Sequence, residues 1–410
     1  MTKLISTSRT LAFTTVTGSN GVTSLVGTSG IDVATIVTLA SNVFVGAQAA
    51  NDTITVALAT GGNVVTGYTV NGGAGDDAIT FNSSLLGSTV NGDGGAGTAG
   101  NDILTFNQIV INSAVATGSG NDIIVGVGFN GSTVNGNAGV DTITVGASAA
   151  SFIYGGQDTD TITITGNSSS ILVNGNKGSD DITVNGGITF ASSSIYGGGG
   201  NDVIRAQAVL PGATTPGAFL SGDLGDDTVF GTGGLDTIEG GDGVDQLFGN
   251  DGSDTINGGA GNDVITGGLK ADVLTGGGGT NTFNYTFLLD ATVEGSTGFD
   301  TITDFVANTD AVTPNGDRLD VAILPPVFIQ VFNFNTDIGG STTLADALTA
   351  ALGGLGASNV ALVTITAGAA GASYAGNYIV VNNATAGYAS AQDAVIKVNT
   401  LANIGAATFI

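Results

Sequence analysis

GTGGLDTIE GGDGVDQLF GNDGSDTIN GGAGNDVIT GGLKADVLT, residues 231–275, writes one template five times, G-G-x-G-x-D-x-U-x, where U is a large aliphatic. Asp227, Asp236, Asp245, Asp254, Asp263 and Asp272 stand nine apart, and Asn281 continues the count. Working outward, the same signature recurs upstream at Asp77, Asp102, Asp122, Asp141, Asp160, Asp180 and Asp202, at intervals of 19 to 25 residues. Each keeps an aliphatic two places on, as in Asp122-Ile-Ile124 and Asp202-Val-Ile204, and Asp32 and Asp52 read as weaker early members. Two nonapeptides make one coil, so the upstream period of about 20 is a full coil with one Gly-Asp turn instead of two.

The physics of such a unit predicts a right-handed parallel β-helix. A Gly-rich turn supplies positive φ without side-chain bulk, and a short Asp-x-Ile-x strand follows it. The U residues Ile79, Leu104, Ile124, Ile143, Ile162, Ile182, Ile204 and Val229 are then expected to stack inward as a core ladder. The β-branched runs STVNG at Ser88 and Ser132 and SILVNG at Ser170 suit the second strands.

Composition excludes much. The chain has 410 residues, 70 Gly, seven basic and 34 acidic residues, no His, Cys or Trp, and a formal charge of -27. Nucleic acid and anionic membranes need clustered Lys or Arg, so neither is an expected partner. Without Cys or His there are no disulfides, thiol nucleophiles, zinc sites or Ser-His-Asp triads. Only Glu239 and Glu294 are Glu, which leaves 32 Asp, the short carboxylate that a tight turn can aim. Residues 1–15 lack an apolar signal core. The uncharged stretch from Ala347 to Gln392 is broken by Gly, Ser and Asn, so no membrane span is expected.

The nonapeptides resemble the RTX (repeats-in-toxin) units of secreted bacterial proteins, clearly over Gly222 to Asn281 and more loosely from about Gly72 to Asp202. The resemblance implies a calcium-binding β-roll in which the sixth-position Asp and carbonyls of the Gly-rich turn, here including Gly240, Gly249, Gly258 and Gly267, hold Ca2+ shared between stacked turns. Carried over, one edge holds Asp77, Asp102, Asp122, Asp141, Asp160, Asp180, Asp202, Asp227, Asp245 and Asp263. The other holds Asp236, Asp254 and Asp272. Asp158, Lys270 and Asn281 depart from the pattern.

Electrostatics supports this separately. Carboxylates on coils about 4.8 Å apart repel by roughly 3 kcal/mol at an effective dielectric of about 20. Ten rows would exceed a domain's usual net stability of about 5–15 kcal/mol. Only Lys177, Arg205 and Lys270 are basic between Asp32 and Asn281, so cations from solution must neutralise the column, and oxygen-only ligands favour Ca2+. The bland alternative is that each Asp merely forms an Asx-turn to backbone N–H groups.

The expected organisation is an N-terminal cap over residues 1–30, the solenoid over 31–286, and a small mostly-β C-terminal domain over 287–410. The segment from Gly298 to Leu324 resembles the cap after RTX repeats, with Asp300, Asp304, Phe305 and Asp320 as matching positions. Ser341 to Leu352 reads as a short helix, and Val360–Thr366, Tyr378–Val381 and Ala394–Val398 as strands. The last 35 or so residues resemble the bluetail-type C-terminal module of secreted repeat proteins, which implies type I secretion through an uncleaved C-terminal signal. No reactive constellation is visible, so the expectation is a secreted, non-enzymatic structural protein, a surface-layer or filament subunit. It would self-assemble with identical copies at the cell surface through solenoid ends or the polar loops at Ser83–Val90, Ser148–Ile153 and Pro211–Ala218. The competing expectation is an adhesin or matrix protein that binds a surface polysaccharide, for which Tyr154, Tyr196 and Tyr285 are the aromatic candidates.

Overall fold

The computed structural model describes residues 14–17, 23–36, 41–57, 64–94, 99–185, 193–206, 216–285, 300–306, 317–321, 331–337, 359–366, 376–382 and 394–398. They are strands and turns, in two compact units, Met1–Ala208 and Val209–Ile410. The segment expected to form a helix, 341–352, lies outside the described residues.

The first unit is a parallel solenoid. One representative coil runs through strand Thr133–Ala138, a Gly turn, strand Thr142–Val145 and a loop into Phe152–Gln157. Phe152 then pairs with Thr133 in parallel register, which closes a coil of 19 residues. Where the second Gly-Asp turn is missing, several coils carry a short third strand, at Val64–Thr66, Ser84–Leu86, Val110–Ile111 and Phe129–Asn130. The stack begins with Thr14–Thr17 lying antiparallel to Thr23–Val26.

The second unit repeats the plan with two Gly-Asp turns per coil. Pro216–Leu224, Leu235–Asp242, Thr255–Ala260, Val273–Gly278 and Asp300–Ile302 form one parallel sheet. Thr228–Phe230, Gln246–Asp251, Val264–Leu269, Thr282–Tyr285 and Arg318–Val321 form the other. Ala394–Val398 adds in parallel to Asp300–Ile302, and Gly376–Asn382 and Asn359–Thr366 then turn antiparallel. The three C-terminal strands therefore form where the alternating pattern placed them.

The fold is thus the all-β parallel solenoid with small C-terminal strands that the period predicts. Ile79, Leu104, Ile124, Ile143, Ile162, Ile182 and Ile204 follow one another rung by rung, each at most 1% exposed. In the second unit Val229, Leu247, Ile265 and Phe283 do the same. Phe81 stacks on Phe106 with ring centroids 5.4 Å apart, the parallel-ladder geometry that identical side chains adopt at coil spacing.

Candidate metal-binding columns

Inside the Gly-rich edge the aspartates form continuous buried columns. In the first unit Asp32, Asp52, Asp77, Asp102, Asp122, Asp141, Asp160, Asp180 and Asp202 are all at most 2% exposed. Each backbone N–H donates to Oδ1 of the Asp one coil on: Asp77 to Asp102 at 2.8 Å, Asp141 to Asp160 at 2.8 Å, Asp180 to Asp202 at 2.7 Å. The second unit has two such columns. One runs Asp227, Asp245, Asp263, Asn281 and Asp317; the other runs Asp236, Asp254, Asp272 and Asp300. The N–H bonding expected of an Asx-turn does occur, but between coils rather than within a turn.

That bond uses one oxygen of each carboxylate. The other, Oδ2, is buried without a hydrogen-bond partner in Asp52, Asp77, Asp102, Asp141, Asp160, Asp180, Asp245, Asp254 and Asp263. Oδ2 faces the first Gly of its own turn, beside a main-chain carbonyl from the next coil. A Cβ on Gly155 would meet Asp160 Oδ2 and Gly175 O, and one on Gly240 would meet Gly258 O and Asp245 Oδ2. Gly249 and Gly258 stand in the same relation to Asp254 and Asp263, and Gly267 faces Asp272 Oδ2. Here glycine is required for close approach. At Asp158 and Lys270, where the pattern lacks its Gly, φ is still 70° and 86°, so those backbones hold the turn in the left-handed region at some cost.

Burial raises these carboxyls. Desolvation, only partly offset by the N–H bond and reinforced by neighbouring rungs, pushes Asp77 and Asp141 up to about 7. Asp102, Asp160 and Asp254 rise to about 8 for the same reasons. No basic side chain relieves them among the described residues: Arg205 pairs with outward-facing Asp181 at 2.7 Å, and Lys270 with Asp251 at 2.9 Å.

A comparison within the molecule separates packing from charge. On a second edge of the first unit, serine does the N–H bonding with a neutral hydroxyl: Ser88 donates to Ser113 Oγ, Ser113 to Ser132 Oγ, and Ser132 to Ser151 Oγ, at 3.1, 3.1 and 3.2 Å. Stacking therefore needs only an acceptor. The carboxylates bring a surplus oxygen and a charge, both of which call for a cation. A spare carboxylate oxygen and a carbonyl converging on a Cβ-free space form an oxygen-only donor set, which suits Ca2+. Among the described residues no three acidic side chains converge, so carbonyls would have to complete any coordination shell.

Three rungs, Asp236, Asp32 and Asn281, stand apart. Asp236 Oδ2 already accepts the Thr232 N–H at 2.7 Å, and Thr232 Oγ1 donates to the same carboxylate. Thr28 treats Asp32 the same way. Both follow a Gly-Thr start, which marks a rung satisfied by hydrogen bonds. Asn281 puts an amide nitrogen beside Gly276 where other rungs put Oδ2. Conversely, Asp300 and Asp317 join the columns although their 28- and 36-residue separations hide them from a nine-residue count. Their Asp-x-aliphatic strings, Asp300-Thr-Ile302 and Asp317-Arg-Leu319, carry the signal. Asp304 instead accepts the N–H groups of Gly276 and Gly277 at 2.8 and 2.7 Å, and Phe305 is buried against Phe283, both serving to close the stack.

The polar loops expected to serve assembly turn part of their length inward: Ser88, Ser148 and Ser151 are buried, with hydroxyls that accept N–H groups from neighbouring coils, whereas Gly87, Ala150 and Phe152 are exposed and 211–215 lies outside the described residues.

Geometry thus defines a β-solenoid with carboxylate-lined columns built for hard cations. The model of the RTX calcium-binding nonapeptide repeat matches residues 192–208, 221–256 and 248–283. The chain therefore carries multiple RTX calcium-binding repeats. No curated protein matches it. Among solved structures it is similar to the AlgE6R3 subunit of Azotobacter vinelandii mannuronan C5-epimerase, at 23% identity and a TM-score of 0.21, covering 46% of this chain and 80% of that one.

One substitution tests the columns. Asp160→Asn keeps an acceptor for the Asp141 N–H but removes the charge. It is expected to lower the free energy of urea unfolding in saturating calcium and to raise it in calcium-stripped protein at pH 6.5, below the range in which that protein unfolds, each by about 1–3 kcal/mol. A shift of the same sign in both conditions would argue against a cation beside Asp160.

Proposed function

We propose that this chain is a secreted, non-catalytic structural protein, a surface-layer or extracellular filament subunit whose solenoid Ca2+ folds and stiffens. The observation carrying it is the recurrence of one coil design: Asp columns and aliphatic ladders run through the described coils of both units, and no His or Cys is present for the commoner catalytic constellations. In this reading Asp77, Asp102, Asp122, Asp141, Asp160, Asp180, Asp202, Asp227, Asp245, Asp254, Asp263 and Asp272 hold calcium with turn carbonyls, while Asp236 acts as a hydrogen-bonded first rung. Residues 1–30 cap the stack, 31–286 form the solenoid, and 287–410 close it and carry a bluetail-like signal for type I secretion. Among the described residues no helix is long and apolar enough to cross a membrane. Electron microscopy of the full chain in calcium and after its removal tests the proposal. A lattice or fibre that dissolves without calcium is expected; dispersed monomers at every calcium level would refute it.

A second reading, a glycan-binding adhesin or matrix protein, is favoured by one observation. Tyr154 and Tyr196 sit half-buried at outward strand positions rather than in the core, while Tyr285 is 1% exposed and serves packing.

A further inference from the structure

The outer face of the first unit carries a groove of about 570 Å³ whose lining spans five successive coils, from Asn91 to Lys177. Its cause is local. In the outward column Asn91, Ala116, Asn135, the middle residue has lost the amide its neighbours keep. One step along, Gly118 and Gly156 flank Asn137 with no side chain of their own. The dip runs across the strands, parallel to the stacking direction, for about four coil spacings, roughly 19 Å.

Its walls are amides and hydroxyls. Asn91 Nδ2 donates to Asn71 Oδ1 at 2.8 Å, and Asn135 Oδ1 accepts the Asn137 N–H at 3.0 Å, which orients that amide and leaves its Nδ2 as a donor. Gln157 is exposed on the rim. One carboxylate, Asp93, and one ammonium, Lys177, are the charged groups, so the groove itself is near neutral. Tyr154 follows Asn135 in the same outward column, and its ring lies parallel to that of Phe152, at 6° with centroids 6.4 Å apart. Phe152 is 47% exposed.

We propose that this groove binds an uncharged linear polysaccharide along the solenoid axis. An extended peptide could not add here as a strand, because the strands beneath are paired on both sides within the stack. Recognition must therefore use side-chain amides and ring faces, which match sugar hydroxyls and the apolar faces of sugar rings. A polyanion gains no net attraction from a groove whose one ammonium, Lys177, is matched by one carboxylate, Asp93. The inference rests on the glycan-binding reading and gives it a surface and a ligand class.

The test is calorimetric titration of the calcium-loaded full chain with cellohexaose, maltohexaose and hexagalacturonate. One of the two uncharged hexasaccharides is expected to bind, with Tyr154→Ala and the exposed-rim Gln157→Ala each weakening it about tenfold. Thr163→Ala, on another sheet, should leave it unchanged, and circular dichroism should show all three variants folded. Uncharged-sugar binding that ignores both groove substitutions would overturn the groove but leave glycan recognition standing. Binding of hexagalacturonate alone would overturn the ligand class, and binding of no sugar would overturn both proposals.

Discussion

Removing calcium from the purified chain at pH 8 is expected to abolish most of the strand signal in circular dichroism, and restoring calcium should bring it back. The argument is one of imbalance. At least nine buried carboxylates hold an oxygen with no hydrogen-bond donor, and each such oxygen costs about 1–3 kcal/mol, more when charged. Summed over the columns, that exceeds the roughly 5–15 kcal/mol by which domains are usually stable. Arg205 and Lys270 are engaged by carboxylates outside the columns, and neither ion pair reaches a column Asp, so the protein does not relieve the columns itself. The serine edge of the first unit carries no such load. Any strand signal that survives stripping should therefore be small and come from the first unit, whose coils carry one Asp column where those of the second unit carry two. A spectrum unaltered by calcium removal would show that protons or packing alone stabilise the columns.

The second large effect is a reversal of pH dependence. In the calcium-stripped chain, buried Asp carboxyls titrate above their unfolded value of 3.8, from about 6 for Asp52 and Asp263 to about 8 for Asp102, Asp160 and Asp254. Between those limits the folded state holds more protons than the unfolded one, so its stability falls as pH rises. The protonated contribution is fully present below pH 3.8 and is lost as pH climbs through about 6 to 8. Calcium-free protein that is unfolded at pH 8 should regain strand structure near pH 5. In saturating calcium the trend inverts, because the ion must displace those protons and binds better at higher pH. Thermal melts at pH 5, 6.5 and 8, with and without calcium, should give slopes of opposite sign. Parallel slopes would mean that the columns hold neither protons nor ions in the way the geometry implies.

The two predictions draw on features of unequal visibility. The phase of Asp and aliphatic, two residues apart, places both on the inner face, and Asp245 and Leu247 are each fully buried. That much follows from strand alternation, as does the parallel stacking of equal-length coils. The partner of each Asp could not be read from spacing, because its N–H bond crosses to a coil 18 to 28 residues away. Asp32 and Asp52 look weak as motifs, yet they are as buried as any other rung. Asp300 and Asp317 were hidden because insertions lengthen their coils while the register holds. The serine ladders were opaque for a different reason. Ser88 and Ser132 read as the starts of second strands and Ser151 as part of a polar loop, and only the stacked geometry shows their hydroxyls bonded from coil to coil.

The strands that run against the stack bear on how copies could meet. Thr14–Thr17 lies reversed on Thr23–Val26, and in the other unit Gly376–Asn382 lies reversed on Ala394–Val398. At the first of those places a second molecule meets main-chain groups oriented the wrong way to seed another parallel rung, as in other sheets that blunt their margins, and at the second Gly376–Asn382 is already paired on both sides, by Ala394–Val398 and Asn359–Thr366. Under the assembly proposed above, copies would then meet side to side, through outward faces whose chemistry can change without touching the buried aspartate columns.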